Sequence, residues 1–359
     1  MAARVSAEQA NRTLLHRQHL LERADEDAIE VIDRCVGLQA QDPQAPFFAL
    51  WSRIADFDPG ELDELLLDRE TVRMPLQRGT VFLMDALDAR WIRPAVQAVF
   101  DAALARTHLP RLGDVDVDEV VALARTEFAE HAAEDGLSGA ALRAALNRRW
   151  PQVPAEALAA VVRGRLPLVQ TPPRGLWGRS GAPAFRLLDD WIGPGEPAVT
   201  DDEARKDLIR MYLRGFGPAS AKAIAGWTGL TGLTPFLKAM DADWEVVTYV
   251  GPDGGELYDL EGLSLVDGEV AAPVRLIAPF DQVLVANADR DRIAAPEVYR
   301  ATVTPNGRSP GFVLVDGRLV GTWQLVEGRV ELTELVDVQP AQRAEVEREA
   351  AALADFAAR

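Results

Sequence analysis

Leu38-Gln39-Ala40-Gln41-Asp42-Pro43 is a short polar interruption between two apolar segments, and the fold of the first hundred residues turns on how it is read. Upstream, Ile29, Val31, Ile32, Cys35 and Val36 recur as one face of a helix over Ala28 to Val36. Downstream, Pro46 sits where an early helical residue tolerates the loss of its N–H, and Phe47, Phe48, Leu50 and Trp51 carry a helix on to Ile54. The polar step therefore marks a helix-helix junction. Two glutamines flanking one small residue cannot both enter a hydrocarbon core, because each unpaired amide group costs roughly 1–3 kcal/mol. Either they bond locally or they line a cleft.

Outward from that junction the order is helix, helix, helix, ribbon. Ser6 is placed to cap a first helix bearing Leu14, Leu15, Leu20 and Leu21, and Asp58-Pro59 reads as an N-cap and N1 pair opening a short leucine-rich helix. Thr71 to Leu76 and Thr80 to Met84 then alternate as strands around Gln77-Arg78-Gly79. This is the winged-helix order. A long amphipathic helix is expected from about Ala86 to Arg106.

The same order recurs twice. Helices are expected near Val117 to Ala133, Ser138 to Arg149 and Pro154 to Gly164, with strands at Leu166 to Gln170 and Ala184 to Leu188. A third set begins where Thr200 can cap Asp202 to Gly215, followed by Pro218 to Gly226, Leu233 to Met240, and strands Trp244 to Val250 and Glu256 to Leu260. From Val274 the pattern changes to short strands with Asp316-Gly317 and Glu327-Gly328 turns, closed by a helix over Ala341 to Ala357. The expected fold is mainly α with β (α+β). It comprises three tandem winged-helix units, at 1–110, 111–195 and 196–265, and a C-terminal small β-barrel-like module at 266–359.

Composition narrows the function. A hydrophobic fraction of 48% and a charged fraction of 26% are those of a globular protein, and no apolar run approaches a membrane span. Met1 to Ser6 lead into charged sequence instead of a secretory core, so a cytoplasmic location is expected. The formal charge of -18 argues against a protein that coats nucleic acid indiscriminately, although it allows a local basic groove. The single cysteine, Cys35, excludes a disulfide framework and a cysteine-based zinc site. His16, His19, His108 and His131 show no metal-binding spacing, so no metal and no cofactor are expected. Gly215-Phe216-Gly217-Pro218-Ala219-Ser220-Ala221-Lys222 follows a helix and lacks the GxxxxGK[ST] pattern, so it reads as a helix corner and not as a phosphate loop.

Gly37 to Pro43 with Leu50-Trp51-Ser52-Arg53, then Leu76-Gln77-Arg78-Gly79-Thr80-Val81-Phe82-Leu83, and later Ala278-Pro279-Phe280-Asp281, resemble the AlkZ-like DNA glycosylases of the HTH_42 group over essentially the whole chain. The resemblance implies a C-shaped clamp on damaged double-stranded DNA and removal of N7-alkylated purines and crosslinks. It places the catalytic Gln-x-Gln motif at Gln39 and Gln41. It brings the hairpin residues Arg78, Gly79 and Thr80 toward the same side, and Trp51 and Arg53 are candidate DNA contacts. The chain departs from that family at Phe82, where many members carry a histidine.

The chemistry is consistent with two neutral amides. A guanine alkylated at N7 is already cationic and leaves without a strong acid, so a water held against the anomeric carbon suffices, and an amide can both accept from that water and donate to sugar or phosphate. No lysine near the motif is placed for a Schiff base, so a monofunctional enzyme, acting as a monomer, is expected. The competing reading is a non-enzymatic winged-helix transcription factor, which would dimerise on a palindrome.

Overall fold

The computed structural model describes residues 3–131, 136–285, 287–304 and 307–359. The chain is a mixed α+β protein of fifteen α-helices and three sheets among those residues. No helix among them is long and apolar enough to cross a membrane. They form two compact units: Met1–Phe57, Lys206–Trp227 and Gly232–Arg359 make the first, and Asp58–Arg205 with Thr228–Thr231 the second. Each unit gathers stretches that are distant in the sequence.

In the first unit, Ser6 caps the helix Ala7–Arg17 by accepting from Gln9 N at 3.1 Å, while the Gln9 side chain returns to Ser6 N. The helices Ala28–Arg34 and Ala45–Trp51 flank the two-residue strand Leu38–Gln39. A hairpin pairs Val246–Val250 with Glu256–Leu260. The C-terminal strands Arg275–Ile277, Gly311–Val315, Arg318–Val326 and Arg329–Glu334 pair antiparallel in that order. The expected barrel is thus replaced, among the described residues, by an open four-stranded sheet. Helix Pro340–Ala357 closes it, and Phe356 meets the rings of Phe48, Trp51 and Phe57 at 6.0 Å each. The N-terminal helix is fastened to the same module, because Asn11 donates to the carbonyls of Gly317 and Arg292 and Arg12 pairs with Asp316 at 2.6 Å.

In the second unit, Thr71–Pro75 pairs with Val81–Asp85, and Leu168–Thr171 with Ala184–Leu187. Arg73 opposite Gln170 joins the two hairpins into one sheet. Its core gathers around the helix Ala155–Arg165, whose Leu158, Val161 and Val162 meet Leu104, Phe128 and Leu146. The expected helix over Ala86 to Arg106 is two helices, Ala86–Ala95, which contains Pro94, and Gln97–Thr107, and they meet at Val96 (φ -99°, ψ 11°). Helix Val117–Glu130 is described to its end; Ala132 and Ala133, also expected in it, lie outside the described residues.

Candidate active site

The bridge between the two helices is built by a left-handed turn. Helix Ala28–Arg34 ends with Val36 N donating to Asp33 O and Gly37 N to Ile32 O, both at 2.9 Å, while Val36 (φ 64°) and Gly37 (φ 76°) are left-handed. This is a Schellman closure with a valine where glycine is usual. A β-branched residue is strained there, and the full burial of Val36 offsets part of that cost. The turn sends the chain into Leu38–Gln39, and Asp42 Oδ1 accepts from Gln44 N at 2.9 Å as the next helix begins.

Both alternatives posed by the sequence are realised at once. Gln39 is 7% exposed and its Nε2 donates to Gln41 Oε1 at 2.7 Å. Gln41 itself is exposed. One amide is therefore a buried support and the other is presented to solvent on a fixed hydrogen bond, which restricts its rotamers before any substrate arrives.

Gln39 borders a small recess of about 10 Å³, the least space that holds one water, lined by Gln18, Arg53, Asp281 and Gln282 on its polar side and by Leu38, Ala49, Ala278, Pro279 and Phe280 on its apolar side. Its floor is an ion pair. Arg53, 1% exposed, donates through both terminal nitrogens to Asp281, at 2.8 and 3.0 Å. The same guanidinium donates to Ala49 O at 3.1 Å and Gln18 Oε1 at 3.3 Å, and Gln18 Nε2 donates onward to Gly215 O at 2.8 Å. Burial works against the Arg53 charge, but the Asp281 carboxylate outweighs it and holds the guanidinium above its ordinary value. Burial also pushes the neighbouring Cys35 thiol up to about 11, despite the opposite pull of Arg53. Cys35 is thus a neutral, buried thiol.

Beside the ion pair, Gln282 is saturated at both ends of its amide. It accepts from Trp227 Nε1 at 2.8 Å and donates to Gly37 O at 2.6 Å.

The other candidates fall as follows. Arg53 is withdrawn from solvent into the ion pair. Trp51, 8% exposed, packs on Phe356 and lies under the Arg23 guanidinium, 4.8 Å from its ring centre. Arg78, Gly79 and Thr80 occupy the tip of the first hairpin in the second unit. Arg78 (φ 58°) and Gly79 (φ 70°) make a left-handed pair, the Arg78 guanidinium lies 5.3 Å from the Phe82 ring, and Thr80 Oγ1 donates to Gln77 O at 3.1 Å. Gln18, Asp281 and Gln282 had no assigned role from sequence. The Ala278-Pro279-Phe280-Asp281 run was the one signal near them, and it carried no hint that Asp281 pairs with a residue 228 positions away.

With that geometry in place, comparison with known proteins gives three findings. The sequence model of one family, described as DNA glycosylase AlkZ-like, matches residues 32–356. A curated relative, the Interstrand DNA cross-link repair glycosylase of Streptomyces sahachiroi, is 27% identical over 362 residues, covering 95% of this chain and 93% of that protein. The solved structure of the Streptomyces sahachiroi DNA glycosylase AlkZ is similar with a TM-score of 0.80 at 22% identity, over 99% of this chain and 97% of that one.

Proposed function

Because the chain belongs to the AlkZ-like family of DNA glycosylases, we propose that it hydrolyses the N-glycosidic bond of cationic N-alkylpurines, such as N7-alkylguanine, in double-stranded DNA, with Gln39 and Gln41 orienting the attacking water. The observation that carries this reading is the 2.7 Å bond between the two amides, one buried and one exposed. Gln41 is the amide that meets sugar and water. Gln39 holds it there. The water oxygen forms a bond to C1′ as the C1′–N bond breaks, the bond electrons neutralise the cationic base, and the surplus proton leaves to solvent. An amide is too weak a base to take that proton, so selectivity for already charged purines follows from the choice of residue.

The name of the curated relative supports extending the substrate class to interstrand crosslinks. The finer architecture belongs to the same proposal: three winged-helix repeats divided near residues 110, 195 and 265, each supported by helices followed by a ribbon, with Arg78, Gly79 and Thr80 on the DNA side and the protein acting as a monomer without a cofactor. Membership of a glycosylase family sets aside the non-enzymatic regulator.

The test is a base-release assay on a panel of alkylated oligonucleotides. Wild type is expected to release 7-methylguanine or a bulkier N-alkylpurine, and the Gln39→Ala/Gln41→Ala variant to be about 100-fold slower, the scale on which misplaced reactants lose rate. Equal product from both proteins would remove the proposed roles; no product from the wild type on any member of the panel would remove the substrate class.

A further inference from the structure

The backbone leading into the Gln-Ala-Gln segment is held by a chain of buried groups. Gly37, the residue that launches the strand Leu38–Gln39, accepts through its carbonyl from Gln282 Nε2 at 2.6 Å, and Gln282 accepts through Oε1 from the indole of Trp227 at 2.8 Å. Gln282 is 245 residues from Gly37 and 55 from Trp227, so the clamp joins three distant parts of the first unit. Trp227 is fully buried, its ring 5.4 Å from Tyr212, which in turn stacks on Phe216 at 4.9 Å and 6°. The indole is therefore a rigid anchor.

The direction of these bonds fixes an orientation. An indole N–H can only donate, so Trp227 dictates that the Gln282 oxygen faces it and that the Gln282 nitrogen faces Gly37. Gly37, left-handed and without a Cβ, is the point at which the chain can turn into the strand, and its carbonyl is the handle by which that turn is held.

We propose that Trp227 and Gln282 are positioning residues for the glycosylase reaction: the indole orients the Gln282 amide, the amide pins Gly37, and the pinned backbone aims the Gln39–Gln41 pair. This rests on the role proposed above for those two glutamines. A displacement of about 1 Å in a catalytic group costs up to about 100-fold in rate, so losing one bond of this clamp should appear in the chemical step and leave DNA affinity alone.

The decisive variant is Trp227→Phe, which keeps an aromatic ring and deletes the donor; Gln282→Met keeps the length and deletes both bonds, and carries the same comparison if Trp227→Phe does not fold. Single-turnover release of 7-methylguanine, DNA affinity and melting temperature are measured for each, in wild-type and Gln39→Ala backgrounds. The expected result is a fall of about tenfold in the single-turnover rate, DNA affinity within twofold, and no further fall when Gln39 is already alanine, because the support it aims is gone. A wild-type rate in the variants, or the same fold loss in both backgrounds, overturns the clamp. If Gln39→Ala alone runs at the wild-type rate, the failure belongs to the proposed role of the glutamines, and a wild type that releases no base fails the substrate class instead.

Discussion

Arg53 is a buried cation in the polar network that borders Gln39. Its guanidinium is enclosed with Asp281, and it also ties Ala49 O and Gln18 into one network under Gln39. Burying two charges is costly in itself, so the pair contributes little net stability, whereas removing one partner strands the other in a low-dielectric site at about 3–5 kcal/mol. Arg53→Met, which keeps the aliphatic stem and abandons the Asp281 carboxylate, is therefore expected to lower the free energy of unfolding by that amount in urea titrations. Arg53→Met combined with Asp281→Leu should recover a large part of it. A single variant as stable as wild type would show that the carboxylate finds water or protonates cheaply. The sequence made the two glutamines legible because polar residues between apolar helices must answer for their amides. It made Arg53 look like a surface residue, since nothing local distinguishes an arginine that faces water from one whose carboxylate arrives from residue 281. Gln282 was invisible for the same reason: its partners, Gly37 and Trp227, are neighbours only in three dimensions.

Elements whose signals are local were legible nearly to the residue. The helix Pro59–Leu67 starts at its Asp58 cap, with Gly60 N bonded to Asp58 at 3.0 Å, and the strand Glu256–Leu260 and the Arg318–Val326 hairpin stand where alternation and Asp-Gly or Glu-Gly turns put them. Misreadings came where two local signals competed or where closure was global. Apolar periodicity ran on through Val96, where the helix ends two residues after Pro94, and sheet closure depends on partners that no strand encodes by itself. Gly215 illustrates a contact between elements that only coordinates reveal. A Cβ at this position would lie 2.7 Å from Val36 Cγ2 and 2.9 Å from the Arg34 carbonyl oxygen, and the second of these is backbone that cannot swing aside. Helix Asp201–Phe216 can therefore pack against the end of helix Ala28–Arg34 only through a glycine. Gly215→Ala, which would raise helix propensity in isolation, is expected to destabilise by about 1–3 kcal/mol through overpacking. Thermal unfolding would check the sign, and a gain in melting temperature would show that the helix end yields without cost.

For the whole molecule the governing quantity is the charge of -18 set against a polyanionic substrate. Two electrostatic effects then differ in range. Repulsion between the net charges of protein and duplex acts over many ångströms and is limited by the Debye length, which is about 30 Å at 0.01 M and about 10 Å at 0.1 M salt. Guanidinium–phosphate contacts act at touching distance and are lost through counterion competition, with a steep dependence on salt that continues well above 0.1 M. Added salt should first relieve the long-range repulsion and only later erode the contacts. The expected behaviour is a maximum in kcat/KM for base release at intermediate ionic strength, at about 0.1 M, where the screening length has fallen to about 10 Å while direct contacts persist. Measuring single-turnover kcat/KM from low to high sodium chloride at constant pH separates the cases. A monotonic fall from the lowest salt would mean that a concentrated positive surface already dominates the field the duplex meets on approach, so that the acidic excess lies where DNA does not sense it. A maximum would mean that association is slowed by the net charge and rescued by screening, so that the net charge of the whole molecule governs how fast the duplex is met.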